Sequence, residues 1–283
     1  QTECRTVDIL TVGIAAVRSA GRFLWERKQA EMRRLEVDKE RFACALKDAA
    51  ERQPEGIGML REKLLHATLK KYFLEDGALP EQKVGKYIVD LLGKNGIMEI
   101  QTGSCAPLRP KLQALLPLYP VTVVCPIFRK RTVFWIDPQS GALSGGRKSP
   151  KTGKYSDILP ELIYLAPFLD EGHFRLLLFL YDGAEYKCKD GWGKDGKRGA
   201  HRQERVPEKA VEMLLVENSG DCRALLPTGC PEWFTEKEFG KRTGTRGRKR
   251  SAALKGLLEC GVFKRKKEGR VYIYNLICAD DLG

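Results

Sequence analysis

The stretch Lys86–Gln101, KYIVDLLGKNGIMEIQ, decides the fold of this chain. Two short apolar runs flank the tetrapeptide GKNG at positions 93–96, whose residues favour a tight turn. Strand, turn and strand in this order predict a β-hairpin. Asp90 stands inside the first run and Glu99 inside the second, so each predicted strand carries one acidic residue among apolar neighbours.

Helices and strands are predicted on both sides of this hairpin. The elements expected along the chain are a helix from about Ile57 to Phe73, a loop around Gly77 and Pro80, a helix over Pro107–Tyr119, a buried strand over Val121–Ile127, a run over Thr132–Ile136 that pairs with that strand or extends the sheet, a basic loop over Gly141–Lys154, a helix ending at Leu165, a strand over His173–Tyr181, and an exposed loop over Lys187–Arg205. The pattern of Val206–Val216 favours no single element. Together these elements predict an α/β domain over about residues 57–220.

The segment before this domain is predicted to be helical from about Val7 to Arg52. Apolar residues recur there at helical spacing, and Pro54 with Gly56 closes the pattern. We expect a helical extension over residues 1–56, which serves either as a linker or as a helix that binds a partner.

The C-terminal segment, residues 228–283, has the order helix, turn, helix, hairpin. Thr235 and Glu238 have the spacing of a capping box and predict a helix to about Arg242, and Gly244 marks the turn. A second helix is expected from about Arg246 to Cys260, followed by strands over Val262–Lys266 and Arg270–Tyr274. This order predicts a winged helix-turn-helix.

Basic charge is concentrated in the same segment. The whole chain carries a formal net charge of +13, and residues 236–270 hold 13 Lys and Arg against 4 acidic residues, a net of +9. Such a surface favours polyanions, so we expect a nucleic-acid partner, with protein contact as the alternative use of a winged helix.

The cysteines and the apolar runs exclude two other classes of protein. Nine cysteines at irregular spacing, with no CxxC pair, indicate reduced thiols in the cytoplasm rather than a disulfide framework. No apolar run approaches the roughly 18 residues of a membrane span, so we expect no membrane partner. A homodimer is compatible with these features.

The hairpin acids point to a cation. Charged groups among apolar neighbours are costly unless they are paired or bind a cation, and carboxylate oxygens are the ligands that Mg²⁺ prefers. We therefore expect Asp90 and Glu99 to bind a metal, with solvated acids on an exposed strand face as the alternative.

The region from Glu62 to Lys111 resembles the PD-(D/E)xK nuclease superfamily. That superfamily has a restriction-endonuclease-like αβββαβ core in which a helix Glu, a strand Asp and an acid-x-Lys strand meet at Mg²⁺ or Mn²⁺. Glu62, Asp90 and Glu99 occupy the metal-binding positions, but Gln101 stands in place of the usual Lys. The run Glu-Ile-Gln-Thr from Glu99 also resembles a bacterial family with this E-x-Q variant and a C-terminal winged helix.

Two further residues are expected at this site. Lys111, on the helix after the hairpin, is a candidate for the displaced lysine, with an ordinary solvated lysine as the alternative. His66 lies one helical turn after Glu62, where it contributes a hydrogen bond or serves as a core histidine. The catalytic set is thus Glu62, His66, Asp90, Glu99, Gln101 and Lys111.

The resemblance implies an endonuclease or exonuclease that hydrolyses DNA with Mg²⁺ or Mn²⁺. The alternatives are a DNA-binding regulator whose nuclease fold is inactive because of Gln101 and, less favoured, an enzyme that acts on RNA. The basic side chains expected to contact DNA are Arg147, Lys148, Lys151, Arg246, Arg248, Lys249, Arg250, Lys264, Lys266 and Arg270.

Overall fold

A large mixed sheet with helices on both faces forms the body of the protein. The computed structural model describes residues 34–51, 63–188, 201–227 and 233–277. Within them, eight strands form this large sheet and three more form a small sheet near the C-terminus. The α/β class predicted from the sequence is confirmed.

The helices and strands have the following bounds. The α-helices are α1 (Lys39–Glu51), α2 (Leu64–Phe73), α3 (Arg109–Leu115), α4 (Leu162–Leu165), α5 (Glu236–Thr243) and α6 (Gly247–Glu259). The strands are β1 (Arg34–Leu35), β2 (Leu79–Val84), β3 (Tyr87–Gly93), β4 (Gly96–Ile100), β5 (Val121–Ile136), β6 (Arg147–Lys148), β7 (Phe174–Cys188), β8 (His201–Val216), β9 (Trp233–Thr235), β10 (Phe263–Glu268) and β11 (Val271–Leu276). Four 3₁₀ segments are Ala106–Leu108, Tyr155–Glu161, Ala166–Phe168 and Ser219–Leu225.

The strand order of the large sheet is β1-β8-β7-β5-β4-β3-β2, and β6 pairs with β5. Strands β2, β3 and β4 are antiparallel, β4 runs parallel to β5, and β5 runs parallel to β7. The predicted hairpin is confirmed, since β3 and β4 pair up to Gly93 and Gly96 across the GKNG turn. The helix α3 supplies the crossover between the parallel strands β4 and β5, as parallel pairing requires.

The predicted loop is confirmed at Gly77, which lies in a turn, but the prediction is wrong for Pro80, because strand β2 covers Leu79–Val84. This strand is the edge of the sheet, and an edge tolerates a proline that cannot donate a ladder hydrogen bond. Glu81 in this strand has a φ of +53°, an uncommon value for a residue with a side chain.

Long strands replace several shorter predicted elements. Val121–Ile127 and Thr132–Ile136 belong to one strand, β5, with an irregularity between Phe128 and Arg131, so the second run extends the first rather than pairing with it. Strand β7 continues beyond Tyr181 to Cys188, and β8 covers Val206–Val216. Both ends of the predicted loop 187–205 are therefore strand, because β7 and β8 pair along their whole length.

Prolines shorten the helices predicted after the hairpin. The helix expected over Pro107–Tyr119 is a 3₁₀ turn followed by α3, which ends at Leu115 two residues before Pro117. The helix expected to end at Leu165 is mostly the 3₁₀ segment Tyr155–Glu161, with Pro160 inside it. The missing proline N–H and the ring clash account for both changes.

The two faces of the large sheet belong to two hydrophobic clusters. On β7, Leu176 and Leu178 face the cluster under α3 and α4, whereas Leu177 and Phe179 face the cluster under α1 and α2. The alternation follows from the two-residue period of a strand, and continuous apolar runs result because both faces are buried.

The N-terminal segment is part of this body where the structure describes it. Residues 34–38 are not helical, contrary to the prediction: Arg34 and Leu35 form a short strand against β8. Asp38 then caps α1, since its Oδ1 accepts a hydrogen bond from the N–H of Arg41 at 2.9 Å. Phe42 of α1 is buried in the cluster with α2, so this helix is a layer of the fold and not an appended extension.

The C-terminal elements follow the predicted order. The capping box of Thr235 and Glu238 begins α5, and Gly244 ends it in the left-handed conformation with a φ of 72°. Helix α6 and the β10–β11 hairpin follow, and β9 adds a third strand beside β11. These elements share one hydrophobic cluster with the body, because Leu254 and Leu257 of α6 pack in the same cluster as Leu162.

Gly256 allows this close packing. A Cβ atom built on Gly256 would lie 2.8 Å from the N of Ile163 and 2.9 Å from the C of Leu162. Both contacts are with backbone atoms, which cannot rotate away as a side chain can.

Gly256→Ala is therefore expected to destabilise the protein by about 1–3 kcal/mol, because overpacking outweighs the better helix propensity of alanine. The matched control is Gly145→Ala, an exposed loop position with no atom within 4 Å of the added Cβ, which should change stability by less than about 0.5 kcal/mol. Urea unfolding monitored by circular dichroism compares the two variants. An unchanged midpoint for Gly256→Ala would contradict rigid packing of α6 on the body.

Among the residues that the structure describes, no helix is both long enough and apolar enough to cross a membrane.

Candidate functional site

The candidate site lies where β3 and β4 separate. The two strands pair from Gly93 and Gly96 back to Leu91 and Met98, and the regular pairing ends there. Beyond that point, side-chain carboxylates of the two strands accept hydrogen bonds from backbone N–H groups, in place of the carbonyl groups of a regular ladder. The N–H of Ile100 donates to Asp90 Oδ2 at 2.8 Å, and the N–H of Asp90 approaches Glu99 Oε1 at 3.4 Å.

Asp90 is held in its ionised form. Burial acts to raise its pKa, but the hydrogen bond and charge of His66, the Ile100 N–H and the charge of Lys111 outweigh burial, so the pKa is lowered from its ordinary value. His66 Nε2 lies 3.3 Å from Asp90 Oδ2. These partners hold the carboxylate in a defined position.

Glu99 is the more deeply buried acid, with 4% of its surface exposed. Burial raises its pKa above the ordinary value, and the nearby charge of Asp90 acts in the same direction. Lys111 lowers the pKa, without cancelling the effect of burial, because its Nζ lies 2.6 Å from Glu99 Oε2. Lys111 Nζ also donates to the carbonyl of Ile88 at 2.6 Å.

The two basic partners come from helices on different faces of the sheet. His66 lies on α2, whose Leu65 and Leu69 belong to one hydrophobic cluster. Lys111 lies on α3, whose Leu112 belongs to the other. The structure thus brings together four of the predicted catalytic residues, His66, Asp90, Glu99 and Lys111. The solvated alternative for Lys111 is excluded, because only 15% of its side chain is exposed.

Gln101 makes a different contact. Its Nε2 donates to the carbonyl of Ser104 at 2.5 Å, so the amide is tied to the loop that follows β4. The backbone of the same loop is held from the other side, since Arg205 Nη1 donates to the carbonyl of Thr102 at 3.2 Å. Gln101 lines a large cleft, whereas Asp90 and Glu99 do not.

Glu62, the third predicted metal ligand, lies outside the described residues. Within the described ranges, no group of three His, Cys, Asp or Glu side chains has the spacing of a metal site. Of the three predicted metal ligands, the described part of the chain therefore contains Asp90 and Glu99.

The basic residues between β5 and α4 are exposed. Arg147 and Lys148 form strand β6 and are exposed. Lys151 is also exposed, lines the cleft and pairs with Asp157 at 3.1 Å.

The basic residues near the C-terminus separate into three groups. Arg246 and Lys249 line the cleft, and Arg248 is exposed but is not part of the cleft lining. Arg250, also predicted to contact DNA, pairs through its Nε with Glu236 at 2.9 Å and links α6 to α5. The residues expected on the wing, Lys264, Lys266 and Arg270, are exposed on or next to the β10–β11 hairpin.

Several polar contacts near the site were missed by the sequence reasoning. Lys70, four residues after His66 on α2, donates to Glu81 on β2 at 2.8 Å. The four-residue spacing of His66 and Lys70 on one helix could have predicted that both side chains lie on the same face. Glu185 is buried between Arg131 and Lys187, at 3.3 and 3.5 Å, and only the pairing of β5 with β7 brings these residues together.

Comparison with known proteins gives two matches. The model of a family described as a domain of unknown function, DUF8091, matches residues 63–217. An "Uncharacterized protein" from Treponema pallidum (strain Nichols) is 31% identical over 224 residues, which cover 77% of this chain and 86% of the relative. No solved structure gives a significant match.

Proposed function

We propose that this chain, which belongs to the DUF8091 family of domains of unknown function, is a metal-dependent nuclease of the PD-(D/E)xK type that hydrolyses DNA. The observation that carries this proposal is the convergence of Asp90, Glu99 and Lys111 where β3 and β4 separate. Two carboxylates and one ammonium group at one point are the charges that phosphodiester hydrolysis needs.

The order of elements around this point supports the same proposal. The succession α2, β2, β3, β4, α3, β5 is an αβββαβ arrangement. Asp90 lies on the second of these strands, Glu99 lies on the third, and β5 runs parallel to β4. A restriction-endonuclease-like core places its acidic residues in this way.

The residues present fit a hard divalent cation. Asp90 and Glu99 supply carboxylate oxygens, the donors that Mg²⁺ and Mn²⁺ prefer. The raised pKa of Glu99 reflects burial that Lys111 does not fully offset, so further positive charge would stabilise the ionised carboxylate. Asp90 and Glu99, together with Glu62, would hold the ion, which when bound supplies polarisation of the phosphate and activation of water.

Lys111 is assigned the role that the usual motif lysine plays. It lies on α3 rather than at position 101, but its ammonium group contacts Glu99 directly. There it would stabilise negative charge that develops on the phosphate. Gln101, two residues after Glu99, orients the loop beside the site through its bond to Ser104.

The C-terminal elements would serve as a winged helix-turn-helix that binds DNA. Helices α5 and α6, the turn at Gly244 and the β10–β11 hairpin have the required order. Exposed lysines and arginines lie on both α6 and the hairpin. Phosphate contacts of this kind position a protein on DNA without reading its sequence.

A second candidate function, a DNA-binding protein without catalysis, is favoured by one specific observation. Asp90 is paired with His66 and Glu99 with Lys111, so each carboxylate already has a basic partner inside the protein. In addition, Gln101 cannot supply the positive charge of the usual lysine.

The two functions are separated by a cleavage assay. Purified protein is incubated with supercoiled plasmid and with single-stranded DNA, in Mg²⁺, in Mn²⁺ or in EDTA, beside the Asp90→Ala/Glu99→Ala variant. We expect cleavage of at least one substrate with metal, none with EDTA and none by the variant. Circular dichroism and the binding of DNA in EDTA check that the variant remains folded.

DNA binding without cleavage, across both metals and both substrates, would favour the non-catalytic protein. Cleavage that persists in the double variant would place the chemistry elsewhere.

A further inference from the structure

A cleft of about 1290 Å³ separates the body from the turn between α5 and α6. One wall comes from β5, β7, β8 and the segment 151–161, and the other from Thr243 to Arg246 and from Lys249. Gln101 and the loop after it line one end. Gln101 follows Glu99 by two residues along the chain, so the cleft begins next to the candidate site, although Asp90 and Glu99 do not line it.

The cleft has an excess of positive charge. Seven lysines and arginines line it against three acidic residues. The acids are engaged within the protein: Glu185 pairs with Arg131 and Lys187, Asp157 pairs with Lys151, and Glu161 accepts the N–H of Cys105 at 2.8 Å. The acids thus hold the cations in place, and a net positive charge remains for a polyanion.

Polar atoms in this wall are incompletely satisfied. The Nε of Arg205 is buried and has no hydrogen-bond partner, although its Nη1 binds the Thr102 carbonyl. The opposite wall adds Arg246 and Lys249, which are exposed. A buried donor without a partner is uncommon and suggests that an acceptor is supplied from outside.

The size of the cleft restricts the occupant. Sites for small molecules enclose about 300–1,000 Å³, so this cleft exceeds them only moderately. That space admits a few nucleotides of one strand, so we infer that a single strand is the better match to the cleft than a whole duplex.

We propose that this cleft binds a single-stranded polynucleotide and leads it past Gln101 to the hairpin acids. The proposal rests on the proposed nuclease function and names its substrate class. It also changes the role expected for α6. Arg246 and Lys249 line the cleft, where they would contact the bound polynucleotide rather than the major groove of a DNA duplex.

The test measures binding in EDTA by fluorescence anisotropy, with labelled single-stranded DNA, single-stranded RNA and blunt duplex DNA of one sequence. The cleft variant is Lys151→Ala/Lys249→Ala, which removes one cation from each wall. The comparison variant for groove binding is Lys148→Ala/Arg248→Ala, which removes two exposed cations that do not line the cleft. Lys39→Ala/Lys47→Ala, at two exposed positions of α1 that do not line the cleft, is the charge-matched control.

We expect single strands to bind more tightly than duplex. The cleft variant should lose at least about tenfold in affinity for a single strand, and its slope of log affinity against log salt should fall by about 1.4, for two contacts at about 0.7 each. The α1 control should bind like the wild type. Tighter binding of single-stranded DNA or of single-stranded RNA then identifies which kind of polynucleotide the cleft prefers.

Tighter binding of duplex would overturn the proposal, as would full affinity of the cleft variant, or a larger loss in Lys148→Ala/Arg248→Ala than in the cleft variant. Because binding is measured in EDTA, it is independent of cleavage. Single-strand binding without cleavage in metal would reject the nuclease and leave the cleft assignment standing.

Discussion

Glu99→Gln is expected to lower the metal-dependent cleavage rate at least about 100-fold, the scale of losing one electrostatic group that acts in the transition state. The glutamine keeps the shape of the side chain but has no charge for a divalent cation. Lys111 retains its bond to the Ile88 carbonyl at 2.6 Å and can still donate to the new amide oxygen. We therefore expect the free energy of unfolding to change by less than about 1 kcal/mol.

The matched control is Glu75→Gln, an exposed carboxylate that bonds Asn95 at the end of the hairpin. It should cleave within about twofold of the wild type, as expected for a surface change away from the site. Initial rates with saturating Mn²⁺ and urea unfolding in EDTA give the two quantities. A Glu99→Gln protein that cleaves normally would remove Glu99 from the mechanism, and one that is inactive only because it is unfolded would show in the unfolding curve.

Lys111→Met is expected to cost about 3 kcal/mol of stability at pH 7.5, since it leaves the buried carboxylate of Glu99 without its cation. Burial already raises the pKa of Glu99, and the loss of Lys111 removes the largest opposing effect. The pKa of Glu99 in the folded variant should therefore rise further. Lys83→Met, at an exposed position on β2, is the control and should change stability by less than about 0.5 kcal/mol.

The pH dependence of this loss follows from the direction of the shift. When a carboxyl group has a higher pKa in the folded than in the unfolded protein, the folded state binds more protons between the two values, so stability falls as pH rises through that window. The difference between wild type and Lys111→Met should thus be largest above the folded pKa. It should shrink below the ordinary pKa of a glutamate, about 4.3, where Glu99 is neutral in both states.

Urea unfolding at pH 7.5 and pH 4, in metal-free buffer, measures this dependence. Adding Glu99→Gln to Lys111→Met should recover about 2 kcal/mol at pH 7.5, because the uncompensated charge is gone. An equal loss at both pH values, with no recovery in the double variant, would show that Lys111 contributes packing rather than charge.

Local patterns were sufficient for several elements. The GKNG turn between two apolar runs predicted the hairpin, and Thr235 with Glu238 predicted the start of α5. Gly261, with a φ of 63°, lies just after the end of α6 and stops the helix there as expected. In each case the decisive interactions join residues a few positions apart, so short stretches of sequence contain them.

Edge strands and strand lengths were not predictable in this way. Strand β2 contains a proline and exposed residues, and it is a strand because β3 offers it a ladder. Residues 34–35 likewise depend on their partners in β8, Leu214 and Met213, which lie more than 170 positions away along the chain. Propensity is a weak guide where hydrogen bonds to a distant segment decide the conformation.

Within the candidate site, the sequence by itself singled out the side chains to which we assign the chemistry: the acids Asp90 and Glu99, one per strand of the hairpin, and a lysine at position 111 on the following helix. Only the tertiary structure decided that Lys111 reaches Glu99 from one face of the sheet and His66 reaches Asp90 from the other. It also decided that Arg250 pairs with Glu236, and that Arg246 and Lys249 face a cleft. Spacing along a helix or strand defines a face, whereas the partner opposite that face depends on how distant elements pack against one another.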